Sequence, residues 1–216
     1  MAKKRPVLII CAHNEDVVIG AGGTLANYSK KGKLFKTVIF SFGERAQPHI
    51  KPEIVIERRI KESLRCDKIL GGSGIAYLGL KNRQFRTEIE RKKVYSKLIE
   101  LIKRENPSRI YTHMGDDSNP DHQAVNGVVM KLVSDGIIKC DVYGFETGNL
   151  FSWKYREAPM LVMDVSNTFA TKITALKAHK SQQVQMPGWI AKLYLKSMIA
   201  GFNNHCRYAE VFYKLH

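Results

Sequence analysis

A chain of 216 residues, 44% hydrophobic and 25% charged, has room for one substantial core and the balance of an ordinary globular protein. It holds no run of about 18 apolar residues, which argues against a membrane-spanning helix. The net charge of +15 brings nucleic acid or an anionic membrane into consideration, but the basic residues are spread along the chain and form no recognisable nucleic-acid module, so nucleic acid is not expected as a partner.

The first apolar run, VLIICAH at 7–13, reads as a buried strand and not as a cleaved leader, since it lacks a small-residue cleavage site and leads into His13-Asn14-Glu15-Asp16. A helix is expected from Gly20 to Lys31. Its GAGG at 20–23 lacks the full GxGxxG pattern, so close helix–sheet packing is a better role than a dinucleotide turn. LFKTVIFSF (34–42) is a second strand, and PEIVIERRIKESLRCDKIL (52–70) a helix closed by Gly71-Gly72. GIAYLGL (74–80) is a third strand. TEIERKKVYSKLIELIKREN (87–106) reads as one long amphipathic helix stopped by Pro107. SRIYTH (108–113) is a fourth strand, and the next helix starts at Pro120, a favoured first-turn residue.

CDVYGFET (140–147) and APMLVMDV (158–165) are later strands, and 167–183 is helical. In PGWIAKLYLKSMIAGF (187–202), apolar residues recur at helical spacing with Lys192 and Lys196 on another face. That helix either packs over the domain or at a subunit contact, which leaves a homo-oligomer open, or lies on an anionic membrane as a peripheral contact. The alternation of strands and helices, without repeats or linkers, predicts one α/β domain over residues 1–216, with a mostly parallel sheet covered on both faces. Cys11, Cys66, Cys140 and Cys206 form no CxxC pair and are expected as free thiols in a reducing cytoplasm.

In such sheets a ligand site lies beyond the carboxyl ends of the strands, where strand order reverses. His13 to Asp16 follow the first strand, while His113 and the segment Asp116 to His122 follow the fourth, so both polar clusters fall at one edge. A catalytic zinc centre takes about three His or carboxylate ligands and keeps one position open. His13, Asp16 and His122 would supply that set, with Glu15 as acceptor of a water proton. Each cluster alone also suits ordinary turn and cap residues, but two at one sheet edge favour the metal.

The motifs AHNEDVVIGAGGTL and GDDSNPDHQAV resemble the two signatures of the PIG-L/LmbE-like N-acetylglucosaminyl deacetylases. Arg59-Ile-Lys-Glu62, YLGLKNRQF, KITALKAHKSQ and the terminal YAEVF are similar to further parts of that pattern, so the resemblance spans nearly the whole chain. It implies a Rossmann-like three-layer α/β/α fold, a divalent metal, usually Zn2+, and hydrolysis of the N-acetyl group of an amino sugar. It also implies His13, Asp16 and His122 as ligands and Glu15 as general base. Asp121 becomes a supporting residue, and Arg59 and Asn82 become candidate substrate contacts. A surface pair between Arg59 and Glu62 is the alternative for Arg59.

Three departures stand out: Asn14 for the usual proline, Glu15 for aspartate and Asn119 for a histidine. Asn14 should alter only turn rigidity. Asn119 can donate a hydrogen bond to an oxyanion but cannot deliver a proton. The competing expectation is a sugar-binding protein of this fold with little or no turnover.

Overall fold

The computed structural model describes residues 5–147 and 158–216. Its strands are β1 (Val7–Cys11), β2 (Phe35–Ser41), β3 (Ile75–Leu80), β4 (Arg109–His113), β5 (Val142–Phe145), β6 (Met160–Asp164) and β7 (Ala209–Lys214). Its helices are α1 (Asp16–Lys30), α2 (Pro52–Leu70), α3 (Phe85–Arg91), α4 (Val94–Glu105), α5 (Pro120–Ser134), α6 (Phe169–Leu176) and α7 (Met186–Phe202). All seven strands join one sheet in the order β3-β2-β1-β4-β5-β7-β6. The first five pair in parallel, and β7 runs antiparallel between β5 and β6.

Alternation along β1 builds the layers. Val7, Ile9 and Cys11 face a core shared with residues of α1, α2, α6 and α7, while Leu8, Ile10 and Ala12 face one shared with α3, α4 and α5. The α/β fold with a mostly parallel sheet is therefore present. Chain order reverses between β1 and β4, whose residues pair from Val7↔Arg109 to Ile9↔Tyr111. The two turns beyond them meet there.

The glycines of α1 allow the helix to approach the sheet closely. A Cβ on Gly20 would come within 2.4 Å of the Phe145 ring, and one on Gly23 within 2.8 Å of Val165. Buried Lys172 of α6 pairs with Glu210 of β7 at 2.6 Å, and Glu210 also accepts from Gly23 and Thr24 N–H. Three elements are thus tied across one buried contact.

Three expectations are corrected. The helix expected over 87–106 is two helices, α3 and α4, because the backbone turns left-handed at Lys93 (φ 51°). Phe85 and Ile89 of α3 and Leu98 and Ile102 of α4 still share one core. The helical segment 167–183 ends at Leu176 and resumes only as a 3-10 turn over Lys180–Gln182. Of the terminal YAEVF, Ala209 to Phe212 fall within β7. Asn14 does more than loosen a turn: its buried amide donates to Ser63 Oγ at 2.8 Å and Tyr77 Oη at 3.1 Å.

The described cysteines are all free thiols, with Cys11 and Cys66 buried. Helix α7 turns Leu193, Ser197 and Gly201 inward and leaves Leu195, Met198 and Phe202 exposed. No helix among the described residues is long and apolar enough to cross a membrane.

Candidate metal centre and cavity

The turn after β1 is closed by Asp16, whose Oδ2 accepts from the His13 N–H at 2.8 Å as α1 begins. The turn after β4 is closed by Asn119, whose Oδ1 caps α5 by accepting from Asp121 N–H at 2.9 Å. Both helices therefore aim their amino ends, the positive ends of their dipoles, at the shared edge.

Three donor atoms converge there. His13 Nδ1 lies 3.4 Å from Asp16 Oδ2, His122 Nε2 lies 3.5 Å from the same oxygen, and the two nitrogens are 3.3 Å apart. Ligands at ~2.0–2.1 Å around a tetrahedral ion stand roughly 3.4 Å from one another, so the triangle has the right size for one.

The surroundings set the tautomers. His13 Nε2 faces two acceptors, Asn82 Oδ1 at 2.8 Å and Asp121 Oδ2 at 3.3 Å, so that nitrogen carries the proton and Nδ1 turns its lone pair inward. His122 Nδ1 faces Asp117 Oδ2 at 3.0 Å and Thr147 Oγ1 at 3.2 Å, which leaves Nε2 with the inward lone pair. With both inward nitrogens deprotonated, two lone pairs and a carboxylate oxygen at this separation can hold a cation. Burial disfavours charge on His13, yet hydrogen bonds to Asp121 and Asp16 outweigh it and carry the ring up to about 10. Proton and metal compete for such a centre. The buried donor set of two imidazoles and one carboxylate thus fits a divalent transition metal.

Beside the triangle, a cavity of about 540 Å³ is lined by His13, Glu15, Arg59, Asn82, Arg83 and Asn119, among others. Glu15 is 15% exposed at the side chain, and its Oε2 accepts from Arg59 Nη2 at 2.5 Å. Burial pushes the Glu15 carboxyl up, but the Arg59 guanidinium overrides it and holds the group below the usual carboxylate range.

Arg59 is buried, and its partner is Glu15. The surface pair with Glu62 does not form; Glu62 instead accepts from Ser181 N–H and Oγ at 2.7 and 2.6 Å. Among the described residues, the Nε and Nη1 of Arg59 have no hydrogen-bond partner. Asn119 Nδ2 stands 3.3 Å from His122 Nε2, and Asn119 also lines the cavity. Asn82 and Asp121, considered as substrate contact and support, both touch His13 Nε2, and Asn82 also borders the cavity.

Three residues with no assigned role join this neighbourhood. Asp117 orients His122 through Nδ1 and accepts from Asn119 N–H at 2.9 Å. His113 stacks on His122 with ring centroids 3.9 Å apart, and its Nε2 lies 3.2 Å from Asp16 Oδ2. Burial lowers His113 to about 4, so it packs as a neutral ring. His179, fully buried and with both ring nitrogens unpartnered among the described residues, is lowered by burial to about 4 and feels the opposing charges of Glu15 and Arg59. The repeated Asp and the late HKSQ were visible in the sequence, but only the folded turn shows which aspartate meets His122.

The PIG-L family, GlcNAc-PI de-N-acetylase, matches residues 8–133, more than half of the chain. The uncharacterized deacetylase YaiS of Escherichia coli K12 is 28% identical over 188 residues, covering 83% of this chain and 92% of its own. A probable N-acetyl-alpha-D-glucosaminyl L-malate deacetylase 2 of Bacillus cereus is 28% identical over 193 residues, covering 85% of this chain and 86% of its own.

Among solved structures, N,N'-diacetylchitobiose deacetylase of Pyrococcus horikoshii superposes with a TM-score of 0.81 at 20% identity, over 98% of this chain and 84% of that one. GalB, the 4-carboxy-2-hydroxymuconate hydratase of Pseudomonas putida KT2440, gives 0.83 at 20% identity, over 98% and 96%. The fold thus carries more than one reaction, and activity has to be argued from the site.

Proposed function

Because the chain belongs to the PIG-L family, we propose that it is a metal-dependent hydrolase that removes the N-acetyl group from an N-acetylglucosamine-type sugar or its conjugate, with Glu15 as general base. The observation that carries this reading is the donor triangle of His13, Asp16 and His122 beside an ionised Glu15 at the mouth of one cavity. The relatives named as deacetylases support the reaction class.

His13, Asp16 and His122 would hold the divalent ion, Zn2+ by donor type, through the inward nitrogens and Asp16 Oδ2. When bound, such an ion acidifies water and polarises a carbonyl. Asn82 and Asp121 keep the His13 ring turned, and Asp117 with Thr147 does the same for His122. Arg59 keeps Glu15 ionised, so its carboxylate can take a proton from the attacking water. The Asn119 amide would donate to the oxygen on which charge develops. Asparagine has no proton to give up, so Glu15, once protonated, is the donor to the departing amine nitrogen.

Glu15→Gln tests the assignment. It keeps the shape and a hydrogen bond to Arg59 but removes the proton acceptor, and amine release should fall by about 100-fold or more while metal content is retained. Activity within a few-fold of the parent would move the base elsewhere. A parent protein that holds metal and binds sugar but releases no amine from any N-acetylated sugar would instead favour the sugar-binding alternative.

A further inference from the structure

Helix α7 is apolar on both sides. Leu193, Ser197 and Gly201 turn into the domain, while Leu195, Met198, Ile199 and Phe202 are 44, 51, 37 and 83% exposed. These four stand at i, i+3, i+4 and i+7, so they form one strip along the outward side of the helix. Exposed Ala191 begins the strip a turn earlier, and Tyr194 borders it. A surface helix of a globular domain normally turns a polar face outward. A contiguous apolar strip there marks a face that meets a partner.

The surrounding charge selects that partner. Between Asp164 and Glu210 the sequence has no acidic residue, yet it has Lys172, Lys177, Lys180, Lys192, Lys196 and Arg207. Lys172 is buried on Glu210, and Lys196 reaches Glu146 at 3.1 Å. Lys177, Lys180, Lys192 and Arg207 are exposed, and among the described residues no carboxylate pairs with them. Lys192 and Lys196, four residues apart, line one flank of the strip. A Cβ on Gly201 would come within 2.6 Å of Cys206 O, so the turn that carries Arg207 is folded against the last turn of the helix. A second copy of the chain would bring this acid-free face against itself, in a molecule of net charge +15. An anionic bilayer complements it instead, its hydrocarbon boundary taking the strip and its headgroups the cations.

We propose that the outward face of α7 docks the protein on bilayers of anionic phospholipid. Leu195, Met198, Ile199 and Phe202 enter the boundary between headgroups and acyl chains, and Lys192 and Arg207 meet the headgroups. The contact is peripheral, since no helix among the described residues is long and apolar enough to cross a membrane. This goes beyond the deacetylase reading and does not depend on it.

Flotation of the full chain with vesicles tests it. Vesicles of phosphatidylcholine alone are compared with vesicles containing about one-third phosphatidylglycerol, in low salt and in about 0.5 M NaCl. The protein should float with the anionic vesicles in low salt, stay behind with the neutral ones, and bind about tenfold less in high salt. The double substitution Leu195→Ser with Phe202→Ser should lower the partition coefficient by about tenfold or more, and Lys192→Gln by about fivefold. All three side chains are exposed, so both variants should fold, and an unchanged Tm checks this. No flotation with anionic vesicles in low salt, or flotation undiminished in the double variant, overturns the proposal. A dimer in light scattering that the double variant dissociates also overturns it, because the face would then belong to a second copy. None of these measurements uses catalysis, so the outcome is separate from that of the deacetylase reading.

Discussion

Replacing Lys172 by Met tests how α1, which begins with Asp16, is fastened to the rest of the domain. The Lys172 and Glu210 side chains are 2% and 4% exposed and meet at 2.6 Å, and the ammonium also donates to Ile19 O at 2.9 Å. Methionine has nearly the length and helix propensity of lysine, so the main loss is charge. Glu210 would remain buried with only the Gly23 and Thr24 N–H groups as donors, at 2.9 and 2.8 Å. Removing one partner of a buried pair costs about 3–5 kcal/mol, because the other charge is left without compensation. In a domain of this size that corresponds to a fall of roughly 10 °C in Tm. Urea unfolding of the parent, Lys172→Met and the double variant with Glu210→Gln measures it. The double variant should recover part of the loss, since a neutral amide is cheaper to bury. A loss below about 1 kcal/mol in Lys172→Met would refute the reasoning, because that is the scale of an exposed pair.

Asp117→Asn should weaken metal binding by about 10–100-fold through loss of the carboxylate on His122 Nδ1, read by competition with a chromogenic chelator; unchanged affinity would remove Asp117 from the centre. His179 is held at about 4 against an ordinary 6.5, so below pH ~6.5 the unfolded chain gains a proton that the folded chain refuses. Its effect is nil above that pH, and stability falls as pH drops towards 4, by up to about 3 kcal/mol. His179→Gln should flatten that part of the pH–stability curve. An identical slope in both proteins would show that the ring is already charged in the folded state.

The elements that bracket the centre were legible because their signals are local. Pro120 opens α5, the β-branched run at 35–41 makes β2, and Gly71 closes α2 in the left-handed conformation. His13, Asp16 and His122 could be named because metal donors are few in type and the parallel order places both turns at the β1/β4 reversal. Other features depend on tertiary contacts that a sequence pattern does not encode. The apolar spacing runs through Lys93 without interruption, yet the chain turns there. Arg59 stands three residues before Glu62, as a surface pair would, but the face that carries it is buried against Glu15. Asp116, Asp117 and Asp121 look alike in sequence, and the trace of one turn assigns Asp117 to His122 and Asp121 to His13.

The central claim is that His13, Asp16 and His122 hold a metal on which deacetylation depends. Its most direct test is amine release from N-acetylated glucosamine conjugates by protein stripped with a chelator and then titrated with Zn2+, with bound metal measured in the same samples. The account predicts that release vanishes on stripping and returns in proportion to bound metal, and that His122→Ala recovers neither. Amine release that persists undiminished in metal-free protein, or full metal binding by His122→Ala, would contradict it.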